Sequence, residues 1–177
     1  MATADDLYRE AIAAHGPALG RLAGGYEFDP EDRRDLLQEI HLALWRSFAG
    51  FDGRCSLRTW VYRVAHNAAT SHVIRSRRRK SKPLVSLEEI EEQGGIANRD
   101  DGDRSLEQSQ LLDRLHALIQ RLNPLDRQLI LLYLEGMDAA SIAEVTGISS
   151  GYVATKIHRI KTILAGHFRN GGSHDKP

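Results

Sequence analysis

The chain has 177 residues, with 24 Lys and Arg against 24 Asp and Glu and a formal net charge of zero, a length that suits one ordinary domain or two small ones near the lower limit for a self-sufficient core. Cys55 is the single cysteine, which excludes a disulfide framework and a cysteine-built zinc site. No apolar run approaches a membrane span and MATADDLYRE lacks the order of a signal peptide, so the expectation is a cytoplasmic protein without membrane insertion.

The zero sum conceals a segregation of charge. Asp5, Asp6, Glu27, Asp29, Glu31, Asp32, Asp35 and Glu39 make the first segment acidic, and Arg54, Arg58, Arg63, Arg75, Arg77, Arg78, Arg79, Lys80 and Lys82 follow with few acids among them. Glu88, Glu89, Glu91, Glu92, Asp100, Asp101 and Asp103 then reverse the sign. A partner meets a basic patch with acidic flanks, which suits nucleic acid.

Every long periodic segment reads as helix and no alternating strand pattern appears, so the predicted fold class is all-α. Thr3 caps a first helix carrying Leu7, Ala11 and Ile12 inward; Gly16-Pro17 is expected to bend or restart it and Gly24-Gly25 to end it. Asp29-Pro30 supplies an N-cap and an N1 proline for a helix to about Phe48, with Leu37, Ile40, Leu44 and Phe48 as its core stripe. Its other side bears Asp35, Gln38, Glu39, Leu42 and Arg46. Leu42 there is either an ordinary exposed leucine or the apolar anchor of a docking face.

A third helix, capped by Ser56, buries Leu57, Trp60, Val61, Val64 and Ala68, runs out into Arg75 to Lys82, and ends at Lys82-Pro83. Its aromatics, Trp60 and Tyr62, have the chemistry to stack on unpaired bases, although Trp60 shares a face with Val64 and is assigned to packing. Asn67, His72 and the arginines are the better DNA candidates. The interval from Pro83 to Ser105, acidic and holding Gly94-Gly95 and Gly102, reads as a flexible linker without the apolar content to pack. A second domain follows with Leu111, Leu112, Leu115, Leu118, Ile119 and Leu122 on one helix, then Asn123-Pro124 opening another with Leu125, Leu129, Ile130, Leu132 and Leu134, closed by Gly136. The predicted domains are 1–82, linker 83–105, 106–170, and a disordered tail 171–177.

Ser141 to Lys161 has the spacing of a helix-turn-helix. Ala143 sits where two helices touch, Gly147 where the chain turns with positive φ, and Ile148 and Val153 bury the second helix against the first. That helix, opening at Ser149-Ser150, projects Tyr152, Thr155, Lys156 and Arg159 along one side, suited to base edges and phosphates. His158 either contacts a phosphate or lies partly buried, and the whole segment also reads as a helical hairpin with a charged solvent face. No phosphate-cradling glycine loop, metal-ligand cluster or nucleophile-base set appears, and His15, His41, His66 and His72 fall on separate surfaces without evident partners. No enzyme activity, cofactor or metal site is expected.

In order and spacing these elements resemble the extracytoplasmic-function group of bacterial RNA polymerase sigma factors. Asp35-Leu36-Leu37-Gln38-Glu39 resembles the family's DLxQE motif, Trp45 its following tryptophan, and Phe51-Asp52-Gly53 its aromatic-x-Gly turn. The segment from Arg58 to Asn67 resembles RTWLYRIARN, and Gly151 to Arg159 resembles the recognition helix GTVKSRLHR. The resemblance implies an alternative sigma factor that binds core RNA polymerase and recognises a bipartite promoter. Asp35, Gln38, Glu39, Leu42 and Arg46 would dock on the clamp helices of the polymerase largest subunit. Arg63, Asn67, His72, Arg75, Arg77, Arg78 and Arg79 would engage promoter DNA at the minus-ten element. Ser150, Tyr152, Ala154, Thr155, Lys156, His158 and Arg159 would read the minus-thirty-five element.

The resemblance also implies an anti-sigma factor as partner, and an acidic linker able to occupy a nucleic-acid path. Three departures stand out: Ala154 replaces a usual Lys or Arg, Tyr152 a small Thr, and Ser71 a common Asp. Two other readings of the residues remain, a stand-alone dimeric helix-turn-helix regulator and a regulator-sequestering interaction protein.

Overall fold

The structure, a computed structural model, describes residues 3–80, 86–92 and 104–170, and the side chains of these except at 77–80, 104–108 and 168–170. The expected helix stop at Lys82-Pro83, the linker from 93 to 103 and the tail from 171 to 177 lie outside the described residues. The described residues form helices and connecting turns with no strand, as the periodicity predicts.

Helix α1 spans Ala4–Tyr26 and opens on a capping box: the Asp6 amide donates to Thr3 Oγ1 at 3.2 Å and the Thr3 amide donates to Asp6 Oδ2 at 3.0 Å. It runs unbroken through Gly16-Pro17 and Gly24-Gly25, contrary to the expected break and stop. Interior proline costs a helix about 3 kcal/mol, but Pro17 lies on the exposed side while Ala11, Ala18, Leu19, Leu22, Ala23 and Tyr26 are buried along the other. Packing overrides the local signal.

Helix α2 spans Pro30–Ser47, with Asp29 accepting from the Glu31 and Asp32 amides at 2.9 and 3.1 Å, and a 3-10 turn, Phe48–Gly50, follows. Its buried stripe is Leu36, Ile40, Leu44 and Phe48. Leu37, expected in that stripe, is only half-buried, because 36 and not 37 continues the four-residue spacing of Ile40, Leu44 and Phe48.

Helix α3, Leu57–Lys80, starts where Ser56 Oγ accepts from the Thr59 amide at 3.0 Å. Val61 is buried as expected, but its stripe continues through Ala65, Ala69 and Val73, while Leu57, Trp60, Val64 and Ala68 are half-buried. Tyr62, His66, His72 and Ser76 are buried as well. The stripe is wider than sequence spacing indicates because α3 packs on α1 and α2 and also meets α7, described below.

The expected structureless linker contains a helix. Residues Leu87–Glu92 form α4, capped by a second box in which the Glu89 amide donates to Ser86 Oγ at 3.1 Å and the Ser86 amide to Glu89 Oε2 at 2.7 Å. Leu87 and Ile90, three residues apart, are fully buried, so two apolar side chains suffice where an existing surface receives them.

The second helical unit comprises α5 (Arg104–Arg121), α6 (Pro124–Leu134), α7 (Ala139–Thr146) and α8 (Ser150–Asn170). Leu118 and Ile119 on α5 and Leu122 just after it are buried, whereas Leu111 and Leu112, expected in the core, are 46% and 54% exposed. Helix α5 packs on α1 and α6, and among its described side chains burial is confined to Leu118 and Ile119. On α6, Leu129, Ile130, Leu131 and Leu132 are buried, Leu125 is half-buried, and Leu134, expected inside, is exposed at the helix end.

The two units meet along a continuous seam. Gly25 is helical yet irreplaceable by a larger residue without movement, since a Cβ there would fall 2.5 Å from Leu131 Cδ2. Beside it the Arg127 guanidinium covers the Tyr26 ring at 5.5 Å. Arg127 is buried and also donates to the carbonyls of Ile119, Gln120 and Leu122, closing the end of α5. Arg21 clamps Glu135 through two 2.7 Å bonds.

Candidate nucleic-acid and polymerase interfaces

The helix-turn-helix forms as its spacing predicts. Asp138 caps α7, accepting from the Ser141 amide at 2.8 Å, and that bond holds its carboxyl below the usual range. Gly147 ends α7 at φ +76°, the left-handed turn that glycine adopts without a side-chain clash, and its amide donates to the Ala143 carbonyl at 2.8 Å. Ser149 Oγ accepts from the Tyr152 amide at 3.3 Å to open α8. Val153, Ile157 and Ile160 then bury α8 against α6 and α7.

This leaves Ser150, Tyr152, Ala154, Thr155, His158 and Arg159 exposed on the outer face, all of them expected readers. His158 thus resolves as exposed. Lys156 differs from the rest. It is half-buried, with Nζ 3.0 Å from Oδ1 and 3.3 Å from Oδ2 of Asp126, which has no exposed surface. A buried carboxylate left unpaired is costly, so Lys156 pins α8 to α6 rather than standing free for DNA. Arg159 Nη2 lies 2.8 Å from Glu88 Oε1 on α4. The Glu88 carboxyl is held below its usual range, chiefly by its own backbone amide, with the charges of Arg159 and Lys156 adding.

On α3 the expected minus-ten residues divide. Asn67 and Arg75 are exposed, and Arg75 is paired with Glu39. Arg63 is half-buried and donates to the Glu144 carbonyl of α7 at 2.6 Å, while Thr59 Oγ1 donates to the Glu144 carboxylate at 3.2 Å. His72, expected to face DNA, is instead buried between carboxylates, 3.6 Å from Glu27 and 3.1 Å from Glu39, because α1 and α2 close over that side of the helix. The side chains of Arg77, Arg78 and Arg79 lie outside the described residues.

The other histidines also have partners that sequence spacing does not reveal. Tyr26 Oη is 2.8 Å from Nδ1 of His66, whose complete burial pushes its pKa down to about 3; burial pushes Tyr26 up to about 12. Tyr8 Oη is 2.9 Å from Nδ1 of His41, and His15 lies edge-on to Tyr62. Tyr62, buried under Arg58, is no stacking platform in this arrangement, and Trp60 packs against Phe51 and donates to Ser47 Oγ at 2.9 Å.

The α2 stripe is open. Asp35, Gln38, Leu42 and Arg46 are exposed, whereas Glu39 turns toward His72 and Arg75. Sequence reasoning missed the contribution of Trp45 to this face. It is 50% exposed beside Leu42 at 46%, and its indole is anchored by donating to Asp5 Oδ1 at 2.9 Å. Its position three residues after Leu42 was the available signal.

Residues 11–80 match the Sigma-70 region 2 family and residues 112–164 match Sigma-70 region 4. The chain is 27% identical to the RNA polymerase sigma factor CnrH of Cupriavidus metallidurans, over 89% of this chain and 84% of that one. It is 29% identical to the RNA polymerase sigma-H factor of Pseudomonas aeruginosa, over 77% and 72%. Two solved structures share its fold: CnrH in complex with the cytosolic domain of CnrY (TM-score 0.64, 20% identity, covering 92% of this chain and 87% of that one) and the sigma factor RpoE with the anti-sigma factor NepR from Bartonella quintana (TM-score 0.66, 16% identity, 92% and 96%).

The chain belongs to the extracytoplasmic-function group of sigma-70 factors. It is an alternative sigma factor that directs promoter-specific transcription initiation. None of the helices among the described residues is long and apolar enough to cross a membrane.

Proposed function

We propose that this sigma factor docks on the clamp helices of the polymerase largest subunit through Asp35, Gln38, Leu42, Trp45 and Arg46. The observation that carries this reading is the pair Leu42 and Trp45, side by side and half exposed on an otherwise polar helix face. An apolar anchor rimmed by charge is the anatomy of a binding hot spot. Asn67, Arg75, Arg77, Arg78 and Arg79 engage the minus-ten region, joined by Arg63 once it leaves Glu144. Ser150, Tyr152, Ala154, Thr155, His158 and Arg159 face the minus-thirty-five element, with Ala154 offering only an apolar contact such as a thymine methyl. Lys156 holds the reading helix in place. The domains run 1–82 and 106–170.

The protein acts in the cytoplasm as a binding factor and not as an enzyme. An anti-sigma protein holds it, a reading supported by two structural neighbours that were solved with CnrY and NepR. The test mixes the purified chain with core polymerase and a promoter library and maps transcripts. New start sites are expected, and their absence overturns the reading. Thr155→Ala should then change which upstream sequences are used; an equal loss on all sequences would assign Thr155 to phosphate alone.

A further inference from the structure

We propose that α4 is an intramolecular clasp that competes with DNA for the recognition helix, keeping the free chain in a form that binds the upstream element weakly. The proposal deepens the sigma-factor reading and rests on it for the identity of the face that DNA must reach.

Three observations converge on α4. First, it is not stable by itself: six residues are far too few to form an isolated helix, so its order comes from docking. Leu87 and Ile90 are fully buried where α4 packs on α8, and Nε2 of the buried His167, on α8, donates to the Ile90 carbonyl at 2.7 Å. Secondly, the docked helix delivers an acid to the reader. Glu88 is exposed apart from its 2.8 Å pair with Arg159, the guanidinium that a DNA phosphate or base edge would otherwise take. Thirdly, α4 carries Glu88, Glu89, Glu91 and Glu92 in its six residues. Glu89 is used in capping and Glu88 pairs with Arg159, while Glu91 and Glu92 are exposed and keep α4, packed on α8, negative toward an approaching duplex.

The minus-ten reader is tied at the same time. Arg63 donates to the Glu144 carbonyl and Thr59 to its carboxylate, both across the seam to α7 of the helix-turn-helix. Clasp and seam therefore hold two different helices of the helix-turn-helix, α8 and α7. The arrangement is reversible by design of its parts: Glu88 and Arg159 are both substantially exposed, so their pair is weak alone. The apolar contacts of Leu87 and Ile90 retain α4, and a partner that displaces them frees the reader.

The test uses the full chain without polymerase and measures fluorescence anisotropy on a labelled random-sequence DNA duplex at fixed low salt. Glu88→Gln should tighten binding about two- to fivefold, the scale of an exposed ion pair. Glu91→Gln, which removes the same charge away from Arg159, should give a smaller gain. Ile90→Ser, which uproots the helix, should tighten binding by about tenfold or more. If Glu88→Gln gains no more than Glu91→Gln, and Ile90→Ser, having lost no more helix than α4 supplies, binds no tighter than the parent chain, the clasp is overturned. If Ile90→Ser loses more helix than that, Glu88→Gln against Glu91→Gln decides alone. Start sites from the parent chain with core polymerase, together with no gain in these variants, remove the clasp and leave the sigma reading; tighter duplex binding without start sites does the reverse.

Discussion

The outer face of α2 and the outer face of α8 are built alike and used differently. Each is a polar helix face with a few aromatic or apolar side chains standing out, Leu42 and Trp45 on one and Tyr152 on the other. On α2 the apolar pair stands half exposed among the described residues, with Asp35, Gln38 and Arg46 exposed on the same helix. On α8 the two cations that match the reader motif are already engaged, Lys156 by buried Asp126 and Arg159 by Glu88. One face is ready for a partner and the other answers first to its own chain. On the proposed reading, the α2 face can meet polymerase as it stands, whereas α8, although Ser150, Tyr152, Ala154, Thr155 and His158 are exposed, must first release Arg159 from Glu88.

The largest expected effect falls on the open face. Leu42→Asp should weaken core polymerase binding by at least about thirtyfold, the scale of a hot-spot residue, while the thermal midpoint stays nearly constant. A large stability loss would show that Leu42 is core and that the face is not open. On the engaged face, Lys156→Ala should lower unfolding free energy by about 2–3 kcal/mol in urea melts, since it leaves the buried Asp126 carboxylate without its counter-charge and with the Asn123 side-chain amide, at 2.7 Å, as its remaining side-chain donor. Asp126→Asn in the same chain should recover part of it. A stability change near zero would return Lys156 to the group of free readers.

Helix α3, which packs on α1, α2 and α7, is tested by acid. The folded chain does not take up the proton that unfolded His66 binds below about pH 6.5, because burial holds its folded pKa at about 3. Stability is therefore complete above pH 6.5 and declines as pH falls toward 3, with about 2 kcal/mol lost between pH 7 and pH 5. Urea midpoints across that interval should show the slope in the parent chain and a flatter profile in His66→Gln. The smallest effect is expected from Leu111→Ser, which should change stability by less than about 0.5 kcal/mol because the side chain is already in water. A core residue at that position would cost several times more.

Much of this was legible in residue order. Thr3, Asp29, Ser56 and Asn123 announce helix starts that the structure places at the following residue or turn, since a cap is a contact within three residues and needs no distant partner. Gly147 is legible for the same reason. Asp35, Gln38, Leu42 and Arg46 on α2 and Tyr152, Thr155 and Arg159 on α8 lie outward as period alone indicates, whereas Glu39 and Lys156 do not. The failures have a common cause in packing. Leu111 and Leu112 have the spacing of a core face but remain about half exposed, and Pro17 has the chemistry of a break but lies on the exposed side. The Ser86 capping box was readable, and its value became apparent only with a surface for Leu87 and Ile90.

Local chemistry thus determined the all-α class, the helix starts, the turn of the helix-turn-helix and the identity of the two candidate faces, because each depends on residues within one or two turns of one another. Tertiary structure alone decided which of the functional side chains are free. His72 lies between Glu27 and Glu39, Arg63 reaches Glu144, and Lys156 and Arg159 meet Asp126 and Glu88, pairs separated by tens of residues that no local period records. A charge at an exposed register is a reader only if the fold brings no opposite charge to it first.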